Sequence, residues 1–100
     1  MLPHMHQWFV YILANQKNGT LYVGITNNLA RRGDEHRAKI GINFTAKYDV
    51  KTLVYYEAYD SPKDAIQREK NIKAWKRLWK LNRINEANPE WKDLATDLLQ

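Results

Sequence analysis

Three short runs of apolar, aromatic and β-branched residues occur along the chain, at residues 8–13, 21–26 and 52–59. Runs of this length and composition predict β-strands. The first two runs flank Asn18-Gly19, a dipeptide that strongly favours the turns of β-hairpins. The pattern therefore predicts a hairpin that is followed, after an intervening segment, by a third strand.

Two tyrosines of the hairpin are predicted to share one face of the sheet. With a two-residue turn at Asn18-Gly19, Tyr11 and Tyr22 would still lie four residues apart along the strand, roughly 13 Å. A longer loop, in which Asn18-Gly19 supplies only a left-handed exit, would bring the two phenols closer together. We expect the longer loop if the two tyrosines act together.

A helix is predicted immediately after the hairpin. Asn27 or Asn28 can cap its first turn with a side-chain oxygen. The helix is expected to cover residues 29–40. Arg32 and His36 are four residues apart and therefore share one face of it.

A second, longer helix is predicted to start at Ser61-Pro62, a serine N-cap followed by proline at the first helical position. It is expected to continue to about residue 82 or beyond. Asn88-Pro89 then breaks the chain, and residues 91–99 can form a short closing helix. These features predict the order ββαβα plus a C-terminal helix.

This order predicts an α+β fold in which a small three-stranded antiparallel sheet is flanked by helices. One hundred residues are enough for one domain and too few for two independent cores. No repeat or linker divides the chain, so we expect a single domain over residues 1–100, with its core at about residues 8–94.

The composition excludes several classes of protein. The chain has no cysteine, which excludes disulfide-linked partners, thiolate zinc sites and cysteine nucleophiles. No apolar run approaches the roughly 20 residues that span a bilayer, so no membrane association is expected. The first residues lack the apolar segment of a secretory signal, and we therefore expect a cytoplasmic protein. The oligomeric state is left open.

The positive charge is concentrated in one segment. The net charge is +5, and residues 63–83 hold eight Lys or Arg and two Asp or Glu, a local sum of +6. The rest of the chain therefore sums to −1. A basic helix of this kind suits a polyanion such as nucleic acid, although a solvated helix face is the plain alternative.

Glu69 has an unexpected position in the predicted second helix. At about 100° per residue it falls in the apolar sector of Ala65, Ile66 and Ile72. An unpaired buried charge is costly, so Glu69 needs a cation. A Lys or Arg side chain and a divalent metal both remain open.

The residues of the hairpin and of the first helix could carry acid–base chemistry. A free tyrosine has a pKa of about 10, and a nearby arginine or metal lowers it. A histidine can accept the proton. Arg32 and His36 could supply both functions to Tyr11 or Tyr22, although each of the four has an ordinary structural interpretation when taken alone.

The ordered set of these residues resembles the GIY-YIG nuclease superfamily, in particular its small stand-alone bacterial members. No single element is specific, but their order and spacing together are. The resemblance covers the chain from Trp8 to about Leu94. It rests on Val10-Tyr11-Ile12, Tyr22-Val23-Gly24, Asn28-Leu29, Arg32, His36, Glu69, Phe44-Thr45, Lys47-Tyr48 and Asn88-Pro89-Glu90-Trp91.

The resemblance implies catalytic roles for individual residues. Tyr11 and Tyr22 match the two motif tyrosines, one of which helps to activate the attacking water. Gly24 matches the motif glycine. Arg32 matches the arginine that contacts the scissile phosphate, and His36 matches a position that takes part in proton transfer.

The resemblance also implies a cofactor and a partner. Glu69 matches the glutamate that holds one divalent metal, most commonly Mg²⁺, with Mn²⁺ as the alternative. The partner is DNA. Contacts with it are predicted at Gly24, Lys47, Lys70, Lys73 and Arg77. The downstream asparagine of many members is assigned to no residue here; the nearest candidates are Asn82 and Asn85.

Three functions are compatible with the sequence. The first is a metal-dependent endonuclease of DNA repair or recombination. It would select DNA structure more than sequence, since no zinc-finger or helix-turn-helix motif is found. The second is a non-catalytic nucleic-acid binding module with the same fold. The third is a protein-interaction domain in which Trp75, Trp79 and Trp91 form a partner surface.

Overall fold

The fold is built on a three-stranded antiparallel sheet, as the sequence predicts. The computed structural model describes residues 7–37 and 47–98. The strands are β1 (Trp8–Ala14), β2 (Leu21–Thr26) and β3 (Thr52–Tyr59), in the spatial order β2-β1-β3. The hairpin strand β1 is therefore central and pairs with both of the others.

Within residues 7–37 and 50–98, four helices accompany the sheet. They are α1 (Leu29–Arg37), α2 (Pro62–Ala74), α3 (Arg77–Ala87) and the short α4 (Ala95–Leu98). The α+β class and the three-stranded sheet flanked by helices are confirmed. Within the described ranges, no helix is long and apolar enough to cross a membrane.

The single long helix that the sequence predicts is in fact two helices. The chain is extended at Trp75 (φ −63°, ψ 149°) and at Lys76 (φ −60°, ψ 148°), which ends α2 and begins α3. No glycine or proline marks this break, so the pattern did not reveal it. The change of direction lets Ile72 of α2 and Ile84 of α3 enter the same core.

The hairpin loop is longer than two residues. Ala14 pairs with Leu21, and the Asn15 amide donates a hydrogen bond to the Thr20 carbonyl at 3.2 Å. Asn18 has a φ of 60°, the left-handed conformation that asparagine tolerates. The prediction of a longer loop with a left-handed exit is confirmed.

Side-chain caps fix where the helices begin. The Asn28 Oδ1 accepts a hydrogen bond from the Arg31 amide at 3.0 Å, so Asn28 is the cap of α1. Ser61 caps α2 by accepting from the Asp64 amide at 3.4 Å. The predicted end of the first helix, at residue 40, lies outside the described residues, as does Phe44-Thr45.

Both faces of the sheet are covered, which explains why β1 is apolar throughout. On one face Val10 and Ile12 belong to a core with residues of α2 and α3, namely Ala65, Ile72 and Ile84. On the other face Tyr11 and Leu13 belong to a core with Leu29, Val50, Leu53 and Ala95. The second face therefore places Tyr11 against α1, the helix that carries Arg32.

Candidate active site

Tyr11 and Tyr22 lie side by side on one face of the hairpin. Tyr11 is opposite Gly24 and Tyr22 is opposite Leu13, so the two tyrosines are diagonal neighbours across the strands. Their ring centroids are 6.3 Å apart and the rings are tilted by 42°. The longer loop thus brings the two phenols into the proximity that cooperation between them would require.

Gly24 makes room for this pair. A Cβ at residue 24 would lie 2.5 Å from both Cζ and Oη of Tyr11, and 2.9 Å from Cε2 of Tyr22. Any side chain at this position would displace the Tyr11 ring. The contact that the structure assigns to Gly24 is therefore with the tyrosines, while its predicted contact with DNA stays a prediction.

The charged groups of the candidate site are close enough to act on Tyr11. This residue is only 1% exposed, and burial raises the pKa of its phenol. Tyr22, Glu69 and Glu35 act in the same direction, and Arg32 lowers the pKa. Residues of β2 and of two helices thus influence one buried phenol on β1, which keeps its proton at neutral pH.

Arg32 has an unsatisfied hydrogen-bond donor. Its Nη1 is 3.4 Å from Glu35 Oε1, one turn along α1. Its Nε is buried, and no described residue accepts a hydrogen bond from it. A buried donor without a partner costs free energy, because it has lost its water without replacement. An anionic oxygen that accepted from Nε would recover this cost.

His36 lies in α1, four residues after Arg32. The structure does not describe its side chain. The position on the helix agrees with the predicted common face, whereas the location of the imidazole stays a prediction.

The cation beside Glu69 is a lysine. The Glu69 side chain is 15% exposed, and its Oε2 is 3.0 Å from Lys73 Nζ, one turn further along α2. Of the two cations that the sequence leaves open, the structure shows the ammonium group. The partly buried charge of Glu69 therefore does not by itself require a metal.

Glu69 nonetheless offers the type of ligand that magnesium uses. Mg²⁺ commonly keeps several waters and binds one or two carboxylates together with substrate phosphates. Among the described residues, no three or more His, Cys, Asp or Glu side chains form a group that could hold an ion. The donor set thus fits a loosely held hydrated ion that shares its ligands with the substrate, and not a closed protein cage.

The other predicted DNA contacts are distributed over the surface. Lys70 is exposed on α2, and Lys47 is exposed with its Nζ 5.5 Å from the centroid of the Tyr48 ring. Arg77 bonds within the protein: its Nη2 donates to the carbonyls of Asn18 and Gly19 at 2.6 and 2.7 Å. Arg77 therefore fixes the hairpin loop to the start of α3.

A network around Glu57 escaped the sequence analysis. Its carboxylate accepts hydrogen bonds from the hydroxyls of Tyr55 and Tyr59, and from Nε and Nη2 of Arg68 at 2.8 and 3.0 Å. Desolvation alone would raise the pKa of Glu57, but these bonds outweigh it and lower the pKa to about 2. The alternation of Tyr55, Glu57 and Tyr59 along β3 was the available signal.

The tryptophans do not form the predicted partner surface. Trp91 is buried in the core, and its Nε1 donates to Asn85 Oδ1 at 2.6 Å. Trp75 is half-buried, and only Trp79 is largely exposed among the three. The prediction of a surface that includes Trp91 is wrong, because this side chain belongs to the buried core cluster that contains Val54 and Ile84.

Comparison with known proteins gives a consistent result. A sequence model described as the GIY-YIG catalytic domain matches residues 7–82. A UPF0213 protein of Pseudomonas aeruginosa is 43% identical over 67 residues, 67% of this chain and 64% of that protein, so the chain spans about two thirds of its length. A UPF0213 protein of Staphylococcus haemolyticus is 37% identical over 82 residues, 82% of this chain and 99% of that protein.

A solved structure resembles the fold as well. The solution NMR structure of a UPF0213 protein from Bacillus halodurans has a TM-score of 0.54 and 26% sequence identity. The similarity covers 87% of this chain and 92% of that one. Tyr11, Tyr22, Arg32 and Glu69 all lie within the segment that the domain model matches.

Proposed function

Because the chain belongs to the GIY-YIG nuclease superfamily, we propose that it is a metal-dependent endonuclease that hydrolyses phosphodiester bonds of DNA. The observation that supports this most directly is the surroundings of Tyr11. Its buried phenol lies against Tyr22 and within the electrostatic influence of Arg32 and Glu69. Hydrolysis of a phosphodiester needs these kinds of group together.

Arg32 is the proposed phosphate ligand. Its buried Nε has no acceptor among the described residues, and a non-bridging phosphate oxygen is the acceptor that a guanidinium prefers. The bond would strengthen as negative charge develops on the phosphate, so Arg32 would stabilise the transition state more than the ground state.

The tyrosines and His36 are the proposed groups for proton transfer. Tyr11 is held protonated by burial, so it acts first as a hydrogen-bond donor that orients the attacking water. Tyr22, which is less buried, is the second contact with that water. His36 accepts the proton in this scheme, because imidazole titrates near neutral pH.

Glu69 is the proposed metal ligand, with Mg²⁺ as the ion or Mn²⁺ in its place. When bound, the ion would supply positive charge at the phosphate and at the leaving oxygen. The ion would weaken the hold of Lys73 on the Glu69 carboxylate, because two cations at one carboxylate repel each other. The freed ammonium of Lys73 can then contact a phosphate of the substrate, which agrees with the DNA contact that the sequence predicts.

Selectivity for DNA structure is part of the proposal, with a role in repair or recombination. The proposed contacts at Lys47, Lys70 and Lys73 are cations that bind the phosphate backbone without distinguishing bases. Arg77 would contribute to DNA binding in two ways: its hydrogen bonds fix the hairpin loop, and its positive charge attracts the phosphate backbone. The single domain and the cytoplasmic location stay predictions.

One observation favours a second function, DNA binding without cleavage. Glu69 is already paired with Lys73, and the described residues contain no larger acidic cluster. A chain in which this ion pair persists would bind DNA in a salt-sensitive manner and would give no metal-dependent product.

A cleavage panel separates the two functions. The purified chain is incubated with labelled duplex, flap and junction DNA, in magnesium and in chelator. The endonuclease proposal predicts magnesium-dependent products from at least one substrate, and their loss with Arg32→Ala. Binding of the same DNA with no product under any condition would contradict it and favour the binding module.

A further inference from the structure

A groove beside α3 lies outside the proposed catalytic site. It has a volume of about 360 Å³. Trp79 is 53% exposed at this groove, and the neighbouring Leu78 is 63% exposed. The groove is lined by Trp75, Trp79, Asn82, Arg83 and Glu86, and we call it the Trp79 groove. A large aromatic ring at a groove mouth is a typical anchor for a binding partner.

One wall of the groove is fixed in place. The guanidinium of Arg68 lies 5.0 Å from the centroid of the Trp75 ring. Arg68 is in turn held by two hydrogen bonds to Glu57. The pKa of Glu57 is lowered to about 2, so this carboxylate is ionised at neutral pH and the support persists. The Trp75 side of the groove is therefore preorganised for a ligand.

Two cations lie at or near the groove, one of them beside the exposed ring. Lys76 Nζ is 6.0 Å from the centroid of Trp79, and Arg83 lines the groove. Lys80, also on α3, donates a hydrogen bond to the backbone carbonyl of Lys73, the residue that pairs with Glu69. Positive groups therefore extend from the proposed metal ligand to the groove.

We propose that the Trp79 groove binds unpaired nucleotides of a DNA strand, with a base stacked on the Trp79 ring and phosphates held by Lys76 and Arg83. Aromatic platforms bordered by cations bind single strands in this way. A base inside a duplex does not expose its ring face, so the groove selects unpaired segments. The proposal rests on the nuclease function, which it deepens by defining the substrate as DNA with a single-stranded part.

The negative charge of Glu86 would repel the phosphates of such a strand, so this residue provides a sensitive test. Its Oε1 is 3.5 Å from Arg83 Nη1, and it lines the groove itself. A phosphate that approached Arg83 would compete with this carboxylate. Glu86→Gln should therefore tighten the binding of a single strand, by roughly threefold if the exposed ion pair is of ordinary strength.

Glu90→Gln is the matched control for Glu86→Gln. Both side chains are strongly exposed, at 70% and 72%, and both have an ion-pair partner, Arg83 for Glu86 and Lys92 for Glu90. The two substitutions change the net charge equally. A general electrostatic effect would strengthen binding equally in both variants, whereas the groove predicts an effect of Glu86→Gln alone.

The main experiment measures the affinity of fluorescein-labelled oligothymidylate by anisotropy, in chelator so that no cleavage occurs. Trp79→Ala should weaken binding about tenfold, the size expected for one lost base–aromatic stack. Leu78→Ala, the adjacent exposed apolar position, should leave the affinity unchanged. Neither side chain is in a described core cluster, and circular dichroism checks that both variants stay folded.

The outcomes are distinct. Equal affinity of wild type and Trp79→Ala would overturn the proposal, even if cleavage of DNA is observed. A dimer that Trp79→Ala dissociates, with no change in DNA affinity, would overturn it in favour of contact between two copies of the chain. Binding that depends on Trp79 but is never followed by cleavage would support the groove and contradict the nuclease function.

Discussion

Gly24 and Tyr11 face each other across the central strand pair, and the ring of Tyr11 occupies the space that a side chain at residue 24 would fill. The glycine is therefore a spatial requirement of the tyrosine. Tyr22, two residues before Gly24, flanks the same space from the second strand. Gly24 thus determines where both phenols lie, and this relationship is directly testable.

Gly24→Ala should impair both stability and activity. The added methyl group would lie 2.5 Å from ring atoms of Tyr11, so the ring must move. Overpacking of this kind costs about 1–3 kcal/mol in the free energy of unfolding. Cleavage should fall about a hundredfold, because small displacements of reacting groups have effects of that size. Denaturant unfolding and a cleavage assay measure the two effects.

Gly19→Ala is the control for this substitution. Its added Cβ would meet Asn15 Oδ1 at 2.1 Å, so it also disturbs the hairpin, but in the loop and away from the tyrosines. The folded fraction of Gly19→Ala should keep most of the cleavage activity. An active Gly24→Ala variant would disprove the requirement for space beside Tyr11.

Tyr11 should make stability depend on pH in the alkaline range. Burial raises the pKa of Tyr11, so the native chain keeps a proton that the unfolded chain loses near pH 10. Its contribution to the free energy of unfolding is complete below about pH 10 and decreases as the pH rises further. Tyr11→Phe should reduce this decrease. Identical alkaline profiles of wild type and variant, measured by urea unfolding, would contradict the assignment.

Glu57 should make stability depend on pH in the acid range, where stability should fall as the pH falls. Its pKa is lowered from 4.5 to about 2, so its stabilisation is present above about pH 4.5 and is lost as the pH falls towards 2. The difference corresponds to about 3 kcal/mol at neutral pH. Glu57→Gln should lower stability at pH 7 and flatten the acid profile. Glu90→Gln, at an exposed site, should change stability by no more than about 0.5 kcal/mol.

Lys73 should compete with a divalent ion for Glu69. Its ammonium is 3.0 Å from Oε2 of the carboxylate, and two cations at one carboxylate repel each other. Lys73→Met should therefore tighten the binding of Mn²⁺ by up to about fivefold, the limit for an exposed ion pair. Lys70→Met removes the same charge from the same helix and is the control. Equal affinities in the two variants, measured by calorimetry, would rule out competition.

The sheet and the helix caps could be predicted from the sequence because each depends on residues that are close together in the chain. Each prediction used only a few neighbouring residues: the apolar runs for the strands, Asn18-Gly19 for the end of the hairpin loop, and Ser61-Pro62 for the start of α2. The break at Trp75-Lys76 was not predictable in this way. No residue there disfavours a helix, and the break is stabilised by the packing of Ile72 and Ile84 into one core.

The candidate site could be predicted in its residue types but not in its pairings. The sequence indicated that Glu69 needs a cation, yet only the fold shows that Lys73 is near enough. It indicated a basic helix, yet not that Arg77 binds the carbonyls of Asn18 and Gly19. Such contacts depend on rotamers and on the direction of a helix, which periodicity does not contain.

The most direct test of the nuclease function is the rate of phosphodiester cleavage by wild type and by Glu69→Gln on one flap substrate in magnesium. The proposed metal role predicts cleavage by the wild type that chelator abolishes. Glu69→Gln should be at least about a hundredfold slower, in the range of lost electrostatic stabilisation, with unchanged affinity for the DNA. Equal rates for the two proteins would contradict the account.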